Sequence, residues 1–569
     1  MIKSTTSLRI LLWPLLQRAK TLVRGENVKD KKRNRLVFVL AIMILTTLFR
    51  GAQWALDTMG QNELLATLLP EAAISILLIA VTGISIISNL AAVLGSLFYA
   101  EDLPLLLATP ISGVSFLLAR LTGVWIFCSW MPLVFSIPMI AAVGLHYHAS
   151  LFFYVASGVL LALLLWIPTL LAALLALPIA LIISRLASRG TRILLIGFGL
   201  GAAIGALRYL PNLLSNANTP ERVAHAIYTL SLPTASFLPT RWISVPLSSL
   251  LTHADEPFLL YASLLLSSIL ALGSATFLNY SIWYNRAFSL TRTVSTVSEA
   301  RFNIVRLIDR LLPWVRPQYR AIVSSEIAAV LREWSYLFES SMLLVVGIAY
   351  LSNVRIFGVT AMYAEAEREK WQQILFFFNA CAGSFFIVAI AMRLIYPSVS
   401  RDGRAAWILY SSPLELQEIV QVKRRFWLCI LGFISFLLLS LSTYFITHQA
   451  ATGIAAGIFG VIVSHGISGI AIGLGARYAN FTWEHPSQLA ASLGSFLCML
   501  TSMALGIVDV GLLIIVGYSL SPFGFGPLLS PLTQRLVIGI ALTLIFAINH
   551  LAANRVLAVG CAALKEDAR

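Results

Sequence analysis

Apolar residues in this chain come in long runs, not in the strict alternation of half-buried strands or the three-and-four spacing of soluble helices. About twelve runs follow one another from Leu36 to Leu557, each close to the ~20 residues a helix needs to cross ~30 Å of hydrocarbon. A first set covers 36–54, 72–98, 115–143, 151–184, 192–213 and 258–282; a second covers 340–357, 374–395, 427–447, 451–475, 488–519 and 535–557. Pro168 and Pro178 predict a tilt or kink within 151–184. The fold class is therefore an all-α polytopic membrane protein, with about 12 transmembrane helices in two pseudo-symmetric six-helix halves.

An amphipathic interfacial helix is expected ahead of each half. Leu8, Leu11, Leu12, Leu15, Ala19 and Leu22 form its stripe in the first; Ile327, Val330, Leu331, Trp334, Leu337 and Phe338 form it in the second, with Glu326, Arg332 and Glu333 on other faces. The predicted order is a basic N-terminal segment (1–35), a first half (36–282), a basic amphipathic linker (283–339), a second half (340–557) and a tail (558–569). In the linker, Phe302, Val305, Ile308, Leu312 and Val315 fall near helical spacing between arginines. That pattern suits a helix in the headgroup plane or a solvated basic segment.

Composition agrees with a lipid solvent: 11% of residues are charged, where a soluble chain carries roughly a quarter. The net charge of +15 matters through its placement. Basic side chains crowd into 1–35, 99–114, 185–192, 283–339, 396–426, 476–487 and the tail, whereas the loops between are mostly acidic. By the positive-inside rule both termini are cytoplasmic, so the charge marks membrane sidedness and no nucleic-acid partner is expected. The apolar segment at Leu8–Trp13 is cut short by Arg18 and Lys20, so no cleavable signal peptide is expected. Cys128, Cys381, Cys429, Cys498 and Cys561 form no CxxC pair and are expected as small buried side chains.

One internal correspondence carries chemistry. After the second span of the first half comes Tyr99-Ala-Glu101-Asp102, a short Leu-rich stretch, then Thr109-Pro110. After the second span of the second half comes Tyr396-Pro397-Ser-Val-Ser-Arg401-Asp402-Gly403-Arg404, an apolar stretch, then Ser412-Pro413. Each copy has a basic residue ten positions after its proline, Arg120 and Lys423. An acidic turn, a short helix and a Thr/Ser-Pro stop make a rigid element whose apolar face suits a groove on a partner. Glu101 and Asp102 would sit near a helix N-terminus, where the dipole favours negative charge. Helix capping alone is the other reading of these acids.

Within the spans, Asp509 is the most isolated acid, a candidate polar site together with His465. A proton-relay or substrate role and a water-exposed kinked end both account for Asp509. Asn89, Asn379, Asn549 and His550 read as interhelical hydrogen-bonders. His146 and His148 flank Tyr147, too few ligands for a metal, and no metal or catalytic residues are expected. The Pro-punctuated segments 211–257 and 519–531 read equally as re-entrant helices or interfacial loops.

At the repeated loops the chain resembles the permease subunits of ABC-2-type exporters, particularly the large fused ABC exporter permeases. The second copy resembles that family's P-x-x-S-x-(E/D)-G-R-x-x-W-x-x-x-x-S-P-L stretch. The segment Gly475–Ser487 resembles a further family loop, with Ala479 where proline is usual. The resemblance implies a permease moving an exported substrate across the bacterial inner membrane. It implies two separate ABC ATPase subunits, which carry ATP and Mg, with no cofactor on this chain and no enzyme activity of its own. Coupling to the ATPase would fall to Glu101, Asp102, Thr109, Pro110, Asp402, Gly403, Arg404, Ser412 and Pro413. One chain supplies both halves, and a homodimer of fused chains stays open. The sequence has no G-x-x-x-x-G-K-[ST] phosphate cradle. Rival readings are an ion-gradient-driven secondary transporter, a membrane-embedded transferase or protease, and a non-transporting subunit that recruits an ATPase.

Overall fold

The structure, a computed structural model, describes residues 28–60, 63–100, 102–185, 238–252, 257–297, 310, 313–332, parts of 340–351, 365–482, 489, 492–520 and 530–567. All regular structure among the described residues is helical, and nine helices there are long and apolar enough to cross a membrane. The expected layout of twelve is thus seen in part. The first expected span lies within a longer helix whose apolar portion, Phe38–Trp54, is short. The span at 192–213 lies outside the described residues and that at 340–357 is described only in part, as also fall outside the stretch 8–22, Glu101, and 301–309 of the linker. The chain divides into two compact units, one holding 1–192 and 223–300, the other 193–222 and 301–569.

In the first unit the elements are α1 (Val28–Gly60), α2 (Glu63–Leu94), α3 (Leu103–Ala108), α4 (Gly113–His146), α5 (Leu151–Leu164), α6 (Trp166–Arg185), α7 (Arg241–Thr252) and α8 (Phe258–Val297). The single expected span 151–184 breaks at Leu165. Pro168 lacks an N–H for the Leu164 carbonyl and crowds it, so the helix restarts with the proline in its first turn. Ser112 starts α4 by accepting a hydrogen bond from the Ser115 N–H at 3.3 Å. The core gathers Leu78, Phe153, Leu160, Leu164, Ile243, Leu247 and Leu265. Within the 211–257 segment, α7 belongs to this core, with half of its residues buried. By contrast, α8 exposes a broad apolar face suited to lipid while burying Leu265, Tyr280 and Tyr284, and it runs on to Val297 into what the sequence presents as linker.

The second unit comprises α9 (Pro317–Arg332), α10 (Glu365–Ile390), α11 (Ala406–Tyr410), α12 (Leu416–Thr447), α13 (Ala450–Arg477), α14 (Leu493–Leu520) and α15 (Pro531–Asp567). Its most enclosed member is α13. A left-handed His448 (φ 55°) closes α12 and folds it straight back into α13. Small residues let the backbones meet: a Cβ on Gly469 would lie 2.5 Å from the Ala553 Cα, and one on Gly473 2.6 Å from the Val556 carbonyl carbon.

The two units share one irregularity. α2 ends in a π-helical turn, Gly95–Tyr99, and α10 ends in another, Ala391–Ile395. Such a turn shifts the hydrogen-bond ladder and releases a carbonyl, which needs another donor. The Tyr284 hydroxyl donates to the Leu97 carbonyl at 2.8 Å, and the Arg401 guanidinium donates to the Leu394 carbonyl at 2.6 Å.

Because the α13–α15 contact is backbone against backbone, Gly473→Val should cost about 1–3 kcal/mol, the usual toll of overpacking. Gly539→Val, whose Cβ would meet nothing within 4 Å, is the matched control and should change the thermal midpoint in detergent far less. Equal shifts would contradict this packing.

Candidate functional site

The repeated loops come to rest on ion pairs. In the second unit the chain leaves the π turn through tight helical turns at Tyr396–Ser398 and Ser400–Ala405. Gly403 then reverses it at φ 51°, ψ −135°, a conformation open in practice to glycine alone. That reversal points Asp402 at the first turns of α12. Lys423 there spends all three of its N–H donors: on Asp402 Oδ2 at 2.6 Å, on Glu326 Oε1 at 2.8 Å and on the Ser398 carbonyl at 3.1 Å.

Glu326 comes from α9 and closes the cluster. Besides Lys423 it has Arg401 at 3.6 Å, and it accepts from Trp427 Nε1 at 3.0 Å and the Ser398 hydroxyl at 3.1 Å. The Arg401 guanidinium also lies 5.5 Å above the Trp427 ring. Glu326 and Lys423 side chains are each 2% exposed, and two carboxylates facing two cations leave the cluster neutral. Around it, Ile322 and Val323 of α9 pack on Ile419 and Val422 of α12. Burial alone would raise the Glu326 carboxyl. Lys423 and Arg401 beside it, with hydrogen bonds from Lys423 and Trp427, outweigh burial and hold it below its ordinary 4.5.

This corrects the sequence reading of α9, which set Glu326 on a face away from the apolar stripe. Ile322 and Val323, one turn before it, and the adjacent Ile327 carry it into the buried face. That apolar framing is the signal that would have located it.

The first unit holds a lighter version of the same device. Asp102 precedes α3 without capping it through its side chain and instead takes Arg120 Nη2 on Oδ2 at 2.6 Å. The two side chains are 35% and 21% exposed, so solvent screens this pair more. Thr109 closes α3, its hydroxyl donating to the Leu106 carbonyl at 2.6 Å, and Pro110 is exposed beyond it. In the second unit Pro413 is exposed and Ser412 half-buried, while the Arg404 side chain lies outside the described residues. So of the expected coupling residues, Asp402 and Gly403 belong to the buried cluster, whereas Thr109, Pro110, Ser412 and Pro413 end the short helices.

The two intramembrane candidates are not brought together. Asp509 is fully buried and accepts from Asn549 Nδ2 at 2.8 and 2.9 Å. His465 instead stacks on His550, rings 5.5 Å apart and 2° from parallel. Asn89 donates to Thr169 at 3.0 Å, and Asn379 to Ser442 and Thr443 at 3.0 and 3.1 Å. Among the described residues no group of three or more His, Cys, Asp or Glu could hold a metal.

A family model described as "Putative ATP-binding cassette" matches residues 26–560, and the chain belongs to that family. No curated protein and no solved structure matches it. The match overturns the identification with ABC-2 exporter permeases, and the exporter function resting on it, because the family is described by a nucleotide-binding cassette and not by a permease. The motifs behind that resemblance are acidic turns, short helices and Thr/Ser-Pro stops. They serve helix ends and ion pairing, so they do not by themselves mark an exporter permease. Nor is the all-helical structure that of a typical ABC ATPase domain.

Removing one partner from a buried cluster leaves an uncompensated charge, so Lys423→Met should cost about 3–5 kcal/mol. Arg120→Met, at the more exposed pair, should cost about 1 kcal/mol or less in the same unfolding assay. Similar costs would contradict the difference in burial. The depressed Glu326 pKa sets a sign: its stabilisation is complete above its ordinary value and is lost as pH falls through the lower folded-state value. Glu326→Gln should therefore flatten the acid side of the stability–pH curve, and an unchanged acid limb would refute the assignment.

Proposed function

We propose that this chain is a membrane-embedded member of the ATP-binding cassette family that docks partner ATPase chains on α3 and α11. The observation that carries this reading is the repeated acid–base pair. Asp102–Arg120 and Asp402–Lys423 each pin a turn beside a short helix with bare apolar side chains: Leu105 and Leu107 on α3, Trp407 and Ile408 on α11. Leu105 is 72% exposed and Trp407 67%, the size and chemistry of anchors that fill a partner's pocket. A turn held by ions at its base passes on a push without bending, and packed helices then move as rigid bodies.

Two features support placing the nucleotide elsewhere. The sequence has no phosphate-cradling G-x-x-x-x-G-K-[ST]. The cavity beside Asp402 and Lys423 measures about 20 Å³, too small to hold a nucleotide at that place. On this reading ATP and Mg belong to two ATPase subunits, one for each short helix, and hydrolysis is theirs. The placement of basic residues supports an inner-membrane protein whose termini and ATPase-facing loops are cytoplasmic.

The test has two arms. A P-loop ATPase should co-purify with the chain from its native membranes in mild detergent, and Leu105→Glu with Trp407→Glu should reduce its recovery at least about tenfold, the equivalent of 1.4 kcal/mol. A photoreactive ATP analogue should leave the isolated chain unlabelled. Saturable labelling of that chain, or recovery indifferent to both substitutions, would overturn the proposal.

A further inference from the structure

Next to Lys423 stands a second cation whose surroundings are the reverse. Arg424 lies eight residues into α12, about 12 Å along the helix. Lys423 has two carboxylates; among the described residues Arg424 has none within ion-pair distance. Its polar neighbours are an amide and an imidazole: Nη1 donates to Asn554 Oδ1 at 3.4 Å, and Nη2 lies 3.3 Å from His465 Nε2. Asn554 Nδ2 in turn lies 2.9 Å from His550 Nε2, and His550 stacks on His465. Three helices, α12, α13 and α15, thus converge a guanidinium, two imidazoles and an amide.

The cluster is open on one side. His550 and Asn554 are exposed, and two apolar side chains are exposed close by in the fold: Phe546, stacked on His550, at 56%, and Val461, one turn from His465 on α13, at 38%. A cation inside an apolar helix is costly unless something of opposite charge meets it, and among the described residues the carboxylates of Glu326 and Asp402 are already matched to Lys423 and Arg401. A planar guanidinium with flanking N–H donors is the arrangement that takes phosphate oxygens in pairs. We infer that Arg424, His465, His550 and Asn554 form a binding site for a phosphate group. The apolar border favours a phosphate carried on an amphiphile whose acyl chain lies along Phe546 and Val461. This site stands apart from the nucleotide-coupled role proposed above, needing neither ATP nor a partner chain.

The experiment uses the full chain in phosphatidylcholine nanodiscs, with its thermal midpoint followed as phosphatidylglycerol or inorganic phosphate is added. Phosphatidylglycerol should stabilise the chain, and Arg424→Gln should weaken its apparent affinity about tenfold, while Arg425→Gln at the exposed neighbour leaves it unchanged. His550→Ala, at an exposed position, gives the same readout should Arg424→Gln fail to fold. Stabilisation by inorganic phosphate with the same dependence on Arg424 upholds the phosphate site and assigns it a soluble source. Equal losses in the Arg424 and Arg425 variants mean diffuse surface charge and overturn the site, as does stabilisation by neither compound.

Discussion

The ammonium of Lys423 is the constraint around which the second unit is arranged. Buried almost completely, it can exist as a cation only if all its donors are met and its charge is balanced. The three groups that meet it come from two pieces of chain: Glu326 on α9, and both Asp402 and the Ser398 carbonyl in the turns after α10. Holding them together fixes α9 against α12, demands the reversal at Gly403, and brings Arg401 to the carbonyl freed by the π turn. A neutral set of four charges gives little net stability over apolar side chains of the same volume, since desolvation offsets most of the attraction. What it does give is a single permitted arrangement, because any slip of α9 or the turn strands a charge.

The first unit has the pair without the enclosure. Asp102 and Arg120 stay partly exposed, with no buried acid from a preceding helix among the described residues. The same kind of pairing thus exists in two strengths: a sealed joint in the second unit and a solvent-screened one in the first. Both sit immediately after a π-helical turn, and both precede a short helix with exposed apolar side chains.

Much of this was legible in the chain itself. Long apolar runs located the nine described spans, because hydrocarbon forces every crossing segment to be long, apolar and helical. The repeated acid, proline and base stood out as pattern. That Asp102 meets Arg120, and Asp402 meets Lys423, did not, because partners 18 and 21 residues apart across a turn obey no helical or strand period. Glu326 was misplaced because the apolar stripe was drawn from Ile327 onward, when Ile322 and Val323, one turn before it, put it on the buried face. The break at Leu165 was readable from Pro168, but the π turns leave no mark in composition. The likeness to exporter permeases rested on motifs that serve helix ends and ion pairs, and the family match over 26–560 corrected it.

The most direct test of the joint is hydrogen–deuterium exchange on the full chain in lipid nanodiscs, read across α9, residues 396–402 and the start of α12. If the four charges bind these pieces into one block, their amides exchange slowly and open together, and Glu326→Gln releases α9 and the turn alike while α13 stays protected. Exchange in α9 that is fast in the unaltered chain, or untouched by Glu326→Gln, would contradict the account.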